Sequence, residues 1–329
     1  MLLVLVVHAN FLSLSEPTHL ETIESPIISF SRYLIQSLSI VCVNVFILIS
    51  GYFGIRTNLK KISSLLYQVY FWIFFIHFIL NVLHLEENRN IGEWISSFLL
   101  FDYWFIRAYI ILYIISPVLN TFIINSSPKK ISNFLISFFL LQTVYCFYRD
   151  SFYQIGYSPI SFIGLYVLAR YIRLYPPQWC LLNIKYDFVF YLLSAFLLSS
   201  IEFIQNRFSI LNTFYHYGYS HPIVIASSIF LFLAFSKIQF SNSTINFIGA
   251  SSLAVYLFHC HGSILHTYYC TQIMQWFKSQ DTINFIIYTI GFIILVYVGA
   301  ILIDKLRLYT WDFFVKVVAL FKKTNYEKL

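Results

Sequence analysis

A chain of 329 residues could hold two or three soluble domains, but 59% hydrophobic against 11% charged residues excludes an ordinary water-facing surface. Aromatic residues make up 21%, and such rings suit the membrane interface, which points to many short crossings. The 21 Lys and Arg against 14 Asp and Glu fall in short groups between apolar runs, so no basic face for nucleic acid is formed.

In chain order, Met1 to Leu14 is apolar but short for a crossing, and it leads to Glu16 and Pro17 without a small-residue cleavage pattern. It is therefore read as a mature helix whose beginning is missing. Nine further runs approach the 20 or so residues that a bilayer core requires. They are Leu34 to Ile55, Ile62 to Leu83, Trp104 to Ile124, Ile131 to Tyr148, Ser158 to Tyr171, Tyr186 to Phe203, Tyr219 to Phe235, Ile245 to Cys260 and Ile283 to Ile303.

The links alternate in charge. Glu16, Glu21 and Glu24 precede Arg56, Lys60 and Lys61; Glu86, Glu87, Glu93 and Asp102 precede Lys129 and Lys130. Arg149 and Asp150 cancel, then come Arg170, Arg173 and Lys185, a link with Glu202 and Arg207, Lys237, a link with Lys278 and Asp281, and a tail with Lys305, Arg307, Lys316, Lys322, Lys323 and Lys328. Because Lys and Arg collect on the cytoplasmic side, an even number of helices with both termini inside satisfies every link. The expected fold is an all-α polytopic membrane protein of about ten transmembrane helices, one integral membrane domain over residues 1–329. Ile91 to Phe101 and Leu306 to Lys323 read either as interfacial segments or as plain helix extensions.

Ionisable groups inside crossings are costly, which makes each a functional candidate. His8, in LLVLVVHANFL, lies about 9 Å inside the outer boundary at the helical rise, and His259, in SLAVYLFHCHG, stands about 21 Å from the inner start of its helix. Arg107, in YWFIRAYIILY, sits just inside an outer helix start, so all three reach a similar depth. Position alone also allows an interhelical hydrogen-bonder at His8, belt residues at His259 and His261, and snorkelling at Arg107. His259 and His261 are two apart and point to different sides, which argues against their sharing a metal. Ser50 and Gly51 read as close helix packing, and Arg56, Lys60 and Lys61 either hold the phosphates of a cytosolic donor or follow the positive-inside rule. His77 has no catalytic neighbour in the sequence, and His221 before Pro222 reads as an interface residue. Cys42, Cys146, Cys180, Cys260 and Cys270 show no CxxC pairing, so no zinc site or disulfide framework is indicated, although Cys260 and Cys270 could share an outward loop.

Four patterns, LLVLVVHAN, FILISGYFGI with its following basic residues, YWFIRAYIILYIISPVLN and SSLAVYLFHCHG, occur in the order and spacing of the acyltransferase-3 family, which this chain resembles over nearly its whole length. The family consists of bacterial integral membrane enzymes that acylate envelope glycans and some small molecules. Its members carry an Arg eleven positions before the first-helix histidine, a place that here would precede Met1. The expectation is a misassigned start or a truncated first helix. The resemblance implies His8 as the essential histidine, with Arg107 and His259 as catalytic partners. It further implies a donor site near Ser50, Gly51, Arg56, Lys60 and Lys61, acetyl-CoA as acyl donor with no metal, and a surface polysaccharide or lipid-linked precursor as acceptor. The bacterial inner membrane is the expected location, in keeping with the Ile, Phe, Tyr and Asn usage of an AT-rich source. A transporter or flippase, or a non-catalytic partner in polysaccharide assembly, is the alternative.

Overall fold

The computed structural model describes residues 1–85, 91–100, 103–147, 154–210 and 217–326, and no strand occurs among them. Glu86, Glu87, Asp102, Arg149, Asp150 and Lys328 lie outside the described residues. The helices are α1 (Leu2–Val7), α2 (His19–Glu24), α3 (Pro26–Ser39), α4 (Cys42–Phe53), α5 (Leu59–Val82), α6 (Ile91–Phe98), α7 (Trp104–Ile124) and α8 (Pro128–Phe147). There follow α9 (Pro159–Leu174), α10 (Ile184–Arg207), α11 (Pro222–Ser236), α12 (Ser243–Gly249), α13 (Ser252–His259), the single turn α14 (Gly262–Ile264), α15 (Thr271–Ser279) and α16 (Thr282–Tyr326). Apolar runs take this form because lipid offers no partner to the backbone, and a helix satisfies its own amides.

Local chemistry sets where the helices begin. Pro26, Pro159 and Pro222 occupy first-turn positions, where the missing N–H costs nothing. The side chains of Asn58, Ser158, Asn183 and Asn242 accept hydrogen bonds from amides in the first turns of α5, α9, α10 and α12.

Five helical stretches are long and apolar enough to cross a membrane: Pro26–Phe53, Leu59–Val82, Trp104–Ile124, Ile184–Arg207 and Thr282–Val317. A sixth is formed if Ser243–His259 and Gly262–Ser279, which meet at a 65° bend, count as one span. The chain is thus a polytopic membrane protein. The remaining expected runs are also helical but are shorter or more polar: Leu2–Leu12, α8, α9 and α11.

Of the two readings of Leu306 to Lys323, the structure follows the helix extension: the segment continues α16, because no Gly or Pro interrupts the chain after Gly299. At about 1.5 Å per residue α16 is much longer than a bilayer core, so one end must leave it. The α6 helix is short, with Ile91, Trp94, Ile95 and Phe98 exposed, as an interfacial segment requires.

Close approach of α4 to α9 depends on Gly51. A Cβ at that position would lie 2.5 Å from the Tyr166 carbonyl oxygen and 2.9 Å from its Cα, both backbone atoms that cannot step aside. Gly54 ends α4 at φ +76°, a conformation that a side chain would strain. Midway along α16, Asp304 and Arg307 form a buried ion pair, and Asp304 also accepts hydrogen bonds from Gln68 and Trp72 of α5.

Candidate active site

The first helix changes its winding at His8. Residues His8–Leu12 form a π-helical turn, and a second such turn, Leu265–Cys270, faces it. Insertions of this kind recur at functional sites, since the extra residue re-aims a side chain. The Ser13 hydroxyl donates to the His8 carbonyl at 2.6 Å, and the Tyr269 hydroxyl donates to the Leu5 carbonyl at 2.9 Å. Asn10 donates to the Arg32 carbonyl at 2.8 Å, while the Arg32 guanidinium donates to the carbonyls of Leu14 and Ser15. These bonds fix the rotation of the first helix against α3 and the second π turn.

That rotation aims His8 at His259, whose helix joins the site from 251 residues further along the chain. Nδ1 of His8 lies 3.1 Å from Nε2 of His259, and Nδ1 of His259 lies 2.5 Å from the Val255 carbonyl oxygen. A carbonyl only accepts, so His259 carries its proton on Nδ1, and its Nε2 offers a lone pair to the N–H at Nδ1 of His8. The second nitrogen of His8, Nε2, is then left unprotonated. Cys260 completes the cluster, with Sγ 3.3 Å from His259 Nε2 and 3.7 Å from His8 Nδ1. His259 is fully buried and Cys260 nearly so, whereas His8 is half-buried.

His8 looks into a cavity of about 70 Å³, shared with Val4, Cys42, Val43, Phe46, Trp104, Phe105, Tyr157, Tyr219 and Tyr256. Tyr256 is 6% exposed, and its hydroxyl, near the Phe105 amide, makes no hydrogen bond. The first turn of α7 reaches the same wall through Trp104 and Phe105, and no side chain caps it. The positive end of the helix dipole therefore faces a cavity that His8 lines.

Of the residues singled out in the sequence, His8 and His259 are brought together. Arg107 is one turn into α7 with its side chain exposed, and it is absent from the cavity wall. Ser50 bonds to the Phe46 carbonyl at 3.0 Å and approaches the Tyr109 hydroxyl at 3.4 Å. Arg56, Lys60 and Lys61 are exposed at the far end of α4. Arg170 and Arg173 share that end, bonded to the carbonyl and hydroxyl of Tyr52 respectively. From Cys42 to Gly54 the helical rise covers about 18 Å, which separates this basic end from the cavity.

His261 turns away from His259, as their spacing requires, and its ring lies 4.7 Å from that of His77. His77 accordingly does have an ionisable neighbour, contrary to its isolated look in the sequence, because helices distant in the chain meet there. His221 is buried at the start of α11, where it precedes Pro222 as the N-cap residue. All five cysteines are free thiols. Sequence reasoning missed Tyr256 and Cys260, although both lie in the SLAVYLFHC segment, one turn before His259 and next to it.

A polytopic helical membrane protein with two histidines meeting beside a small cavity, one of them with an unprotonated ring nitrogen, has the form of a membrane-embedded transferase or hydrolase. The model of an acyltransferase domain, acyltransferase 3, matches residues 1–305. The chain belongs to the acyltransferase-3 family, and that membership implies acyl transfer within the membrane. Comparison with curated proteins and with solved structures finds no match.

Proposed function

We propose that this protein transfers an acetyl group from acetyl-CoA to a hydroxyl of an envelope glycan or its lipid-linked precursor in the bacterial inner membrane, with His8 as general base. The observation that carries this reading is the bond pattern Val255 carbonyl, His259, His8, which leaves Nε2 of His8, a residue of the cavity wall, unprotonated. A positioned imidazole with a lone pair takes the proton of an attacking hydroxyl. His259 then acts as the orienting partner, accepting from Nδ1 of His8 as its ring becomes charged.

The acceptor oxygen forms a bond to the acetyl carbonyl carbon as its proton moves to Nε2. The carbon–sulfur bond of the thioester breaks, and the proton passes to the departing thiolate, so the products are the ester and free CoA. Charge on the carbonyl oxygen is met by the Tyr256 hydroxyl and the uncapped first turn of α7, in water-poor surroundings where such donors are worth most. Arg107 reinforces this field from one turn into α7 and acts as a positioning residue. The exposed Arg56, Lys60 and Lys61, beside Ser50 and Gly51, receive the nucleotide phosphates on the cytoplasmic side, and the acyl arm spans the distance to the cavity.

Ten crossings with both termini cytoplasmic complete the reading. It is supported by contacts between helix ends assigned to the same side: Asn206 of α10 with His19 of α2 outside, and Lys237 with Asp187 inside. Protein reconstituted with labelled acetyl-CoA and a glycan acceptor is expected to form label-bearing ester, and His8→Ala to abolish it while the melting temperature holds. Full ester formation by that variant would remove His8 from the mechanism.

A further inference from the structure

We infer that His8, His259 and Cys260 form a zinc-binding site, and that occupation of this site switches off the base proposed above. This rests on that reading of His8 but is carried by different observations. The three side chains present Nδ1, Nε2 and Sγ, all within 4.8 Å of one another. Zinc held at about 2.05 Å by nitrogen and about 2.3 Å by sulfur in a tetrahedron sets edges of about 3.3 Å between nitrogens and about 3.6 Å from nitrogen to sulfur. The corresponding separations here are 3.1 Å, 3.3 Å and 3.7 Å. Small movements within side-chain freedom would seat the ion.

Proton accounting supports the same conclusion. With its Nδ1 proton given to Val255, His259 has one lone pair left, at Nε2. Both the Nδ1–H of His8 and the thiol of Cys260 converge on that single acceptor. One of the two donors is left over in the neutral cluster, whereas a divalent cation would take both imidazole lone pairs and a thiolate. The Val255 carbonyl is also the kind of outer partner that fixes the tautomer and direction of a metal-bound histidine. Two imidazoles and one thiolate suit zinc in preference to magnesium or calcium, which favour oxygen.

Cys260 is absent from the cavity wall, which makes it a poor target for a bulky thioester, and an acyl-cysteine is therefore not the favoured role. Binding a metal through Nδ1 places the proton of neutral His8 on Nε2. That nitrogen then donates and can no longer accept, so zinc would stop hydroxyl activation without blocking the cavity itself.

The test uses the full chain in detergent, stripped of metal and titrated first with Co²⁺ and then with Zn²⁺. Expected are one Co²⁺ per chain, visible absorption of tetrahedral strength, a thiolate-to-cobalt charge-transfer band, and displacement by Zn²⁺. Cys260→Ser should abolish the charge-transfer band and weaken Zn²⁺ binding at least about tenfold, the lower range for removing even an outer partner. Cys260→Ala and His259→Gln, checked by melting temperature, should behave alike, and His77→Gln should leave binding unchanged. Metal uptake that survives Cys260→Ser and falls with His77→Gln would place the ion at the other histidine pair and overturn the inference, as would the lack of stoichiometric uptake. Binding is read without acyl donor, so the two readings separate. A chain that binds through these three residues yet makes no ester refutes the proposed function alone, while an active chain without the cobalt bands refutes the zinc site alone.

Discussion

Replacing Tyr256 by Phe removes a single oxygen, and the structure gives opposite signs for its effects on stability and on rate. The phenol is buried, and its hydroxyl has no hydrogen-bond partner in the resting protein. A buried polar group in that position costs about 1–3 kcal/mol, so Tyr256→Phe is expected to leave the melting temperature unchanged or raise it. In the transition state the same hydroxyl donates to the developing oxyanion, and loss of one such donor lowers kcat by about 10²–10³. The assay pairs a thermal unfolding scan in detergent with initial rates of ester formation at saturating acetyl-CoA. A variant that unfolds well below the parent would show that the hydroxyl has a structural partner. A stable variant with full kcat would remove Tyr256 from the oxyanion site.

Three further outcomes follow from particular contacts. Asp304 is fully buried and bonded to Arg307 through both carboxylate oxygens at 2.8 Å, so Asp304→Ala should destabilise by about 3–5 kcal/mol, and the double change Asp304→Leu with Arg307→Met should recover most of it; denaturant titration checks both. Gly51→Ala, which drives a Cβ against the Tyr166 backbone, should cost about 1–3 kcal/mol, whereas Gly249→Ala, with open space around it, should be neutral or mildly stabilising in the same measurement. Asp281 accepts hydrogen bonds from the amides of Ile283 and Asn284 at the start of α16, and these bonds, led by that from Asn284, hold its carboxyl below the ordinary value. Its contribution to stability is therefore complete above the ordinary carboxylate range and lost as pH falls toward the lowered folded value. The melting-temperature gap between the parent and Asp281→Ala should narrow on acidification, and a gap that widens would contradict this.

Hydropathy by itself determined that this chain is helical and lives in lipid, because lipid forces each apolar run to satisfy its own backbone. Each expected run falls on a helix or, for Leu34 to Ile55 and Ile245 to Cys260, on two successive helices. The order of four local patterns determined the family, and the spacing of His259 and His261 already required them to face different neighbours. Composition could not measure where a helix ends when nothing breaks it, and so α16 extends through the segment read as a possible surface helix. Depth along the membrane placed His8, Arg107 and His259 at one level, but rotation about each helix axis is set by contacts between distant residues. Only the tertiary structure turned His8 onto His259, left the Arg107 side chain exposed, and added Tyr256 and Cys260 to the site. A sequence records which residues share a helix. Side chains 251 positions apart meet because π turns and carbonyl bonds fix the rotation of their helices, and no local pattern encodes that angle.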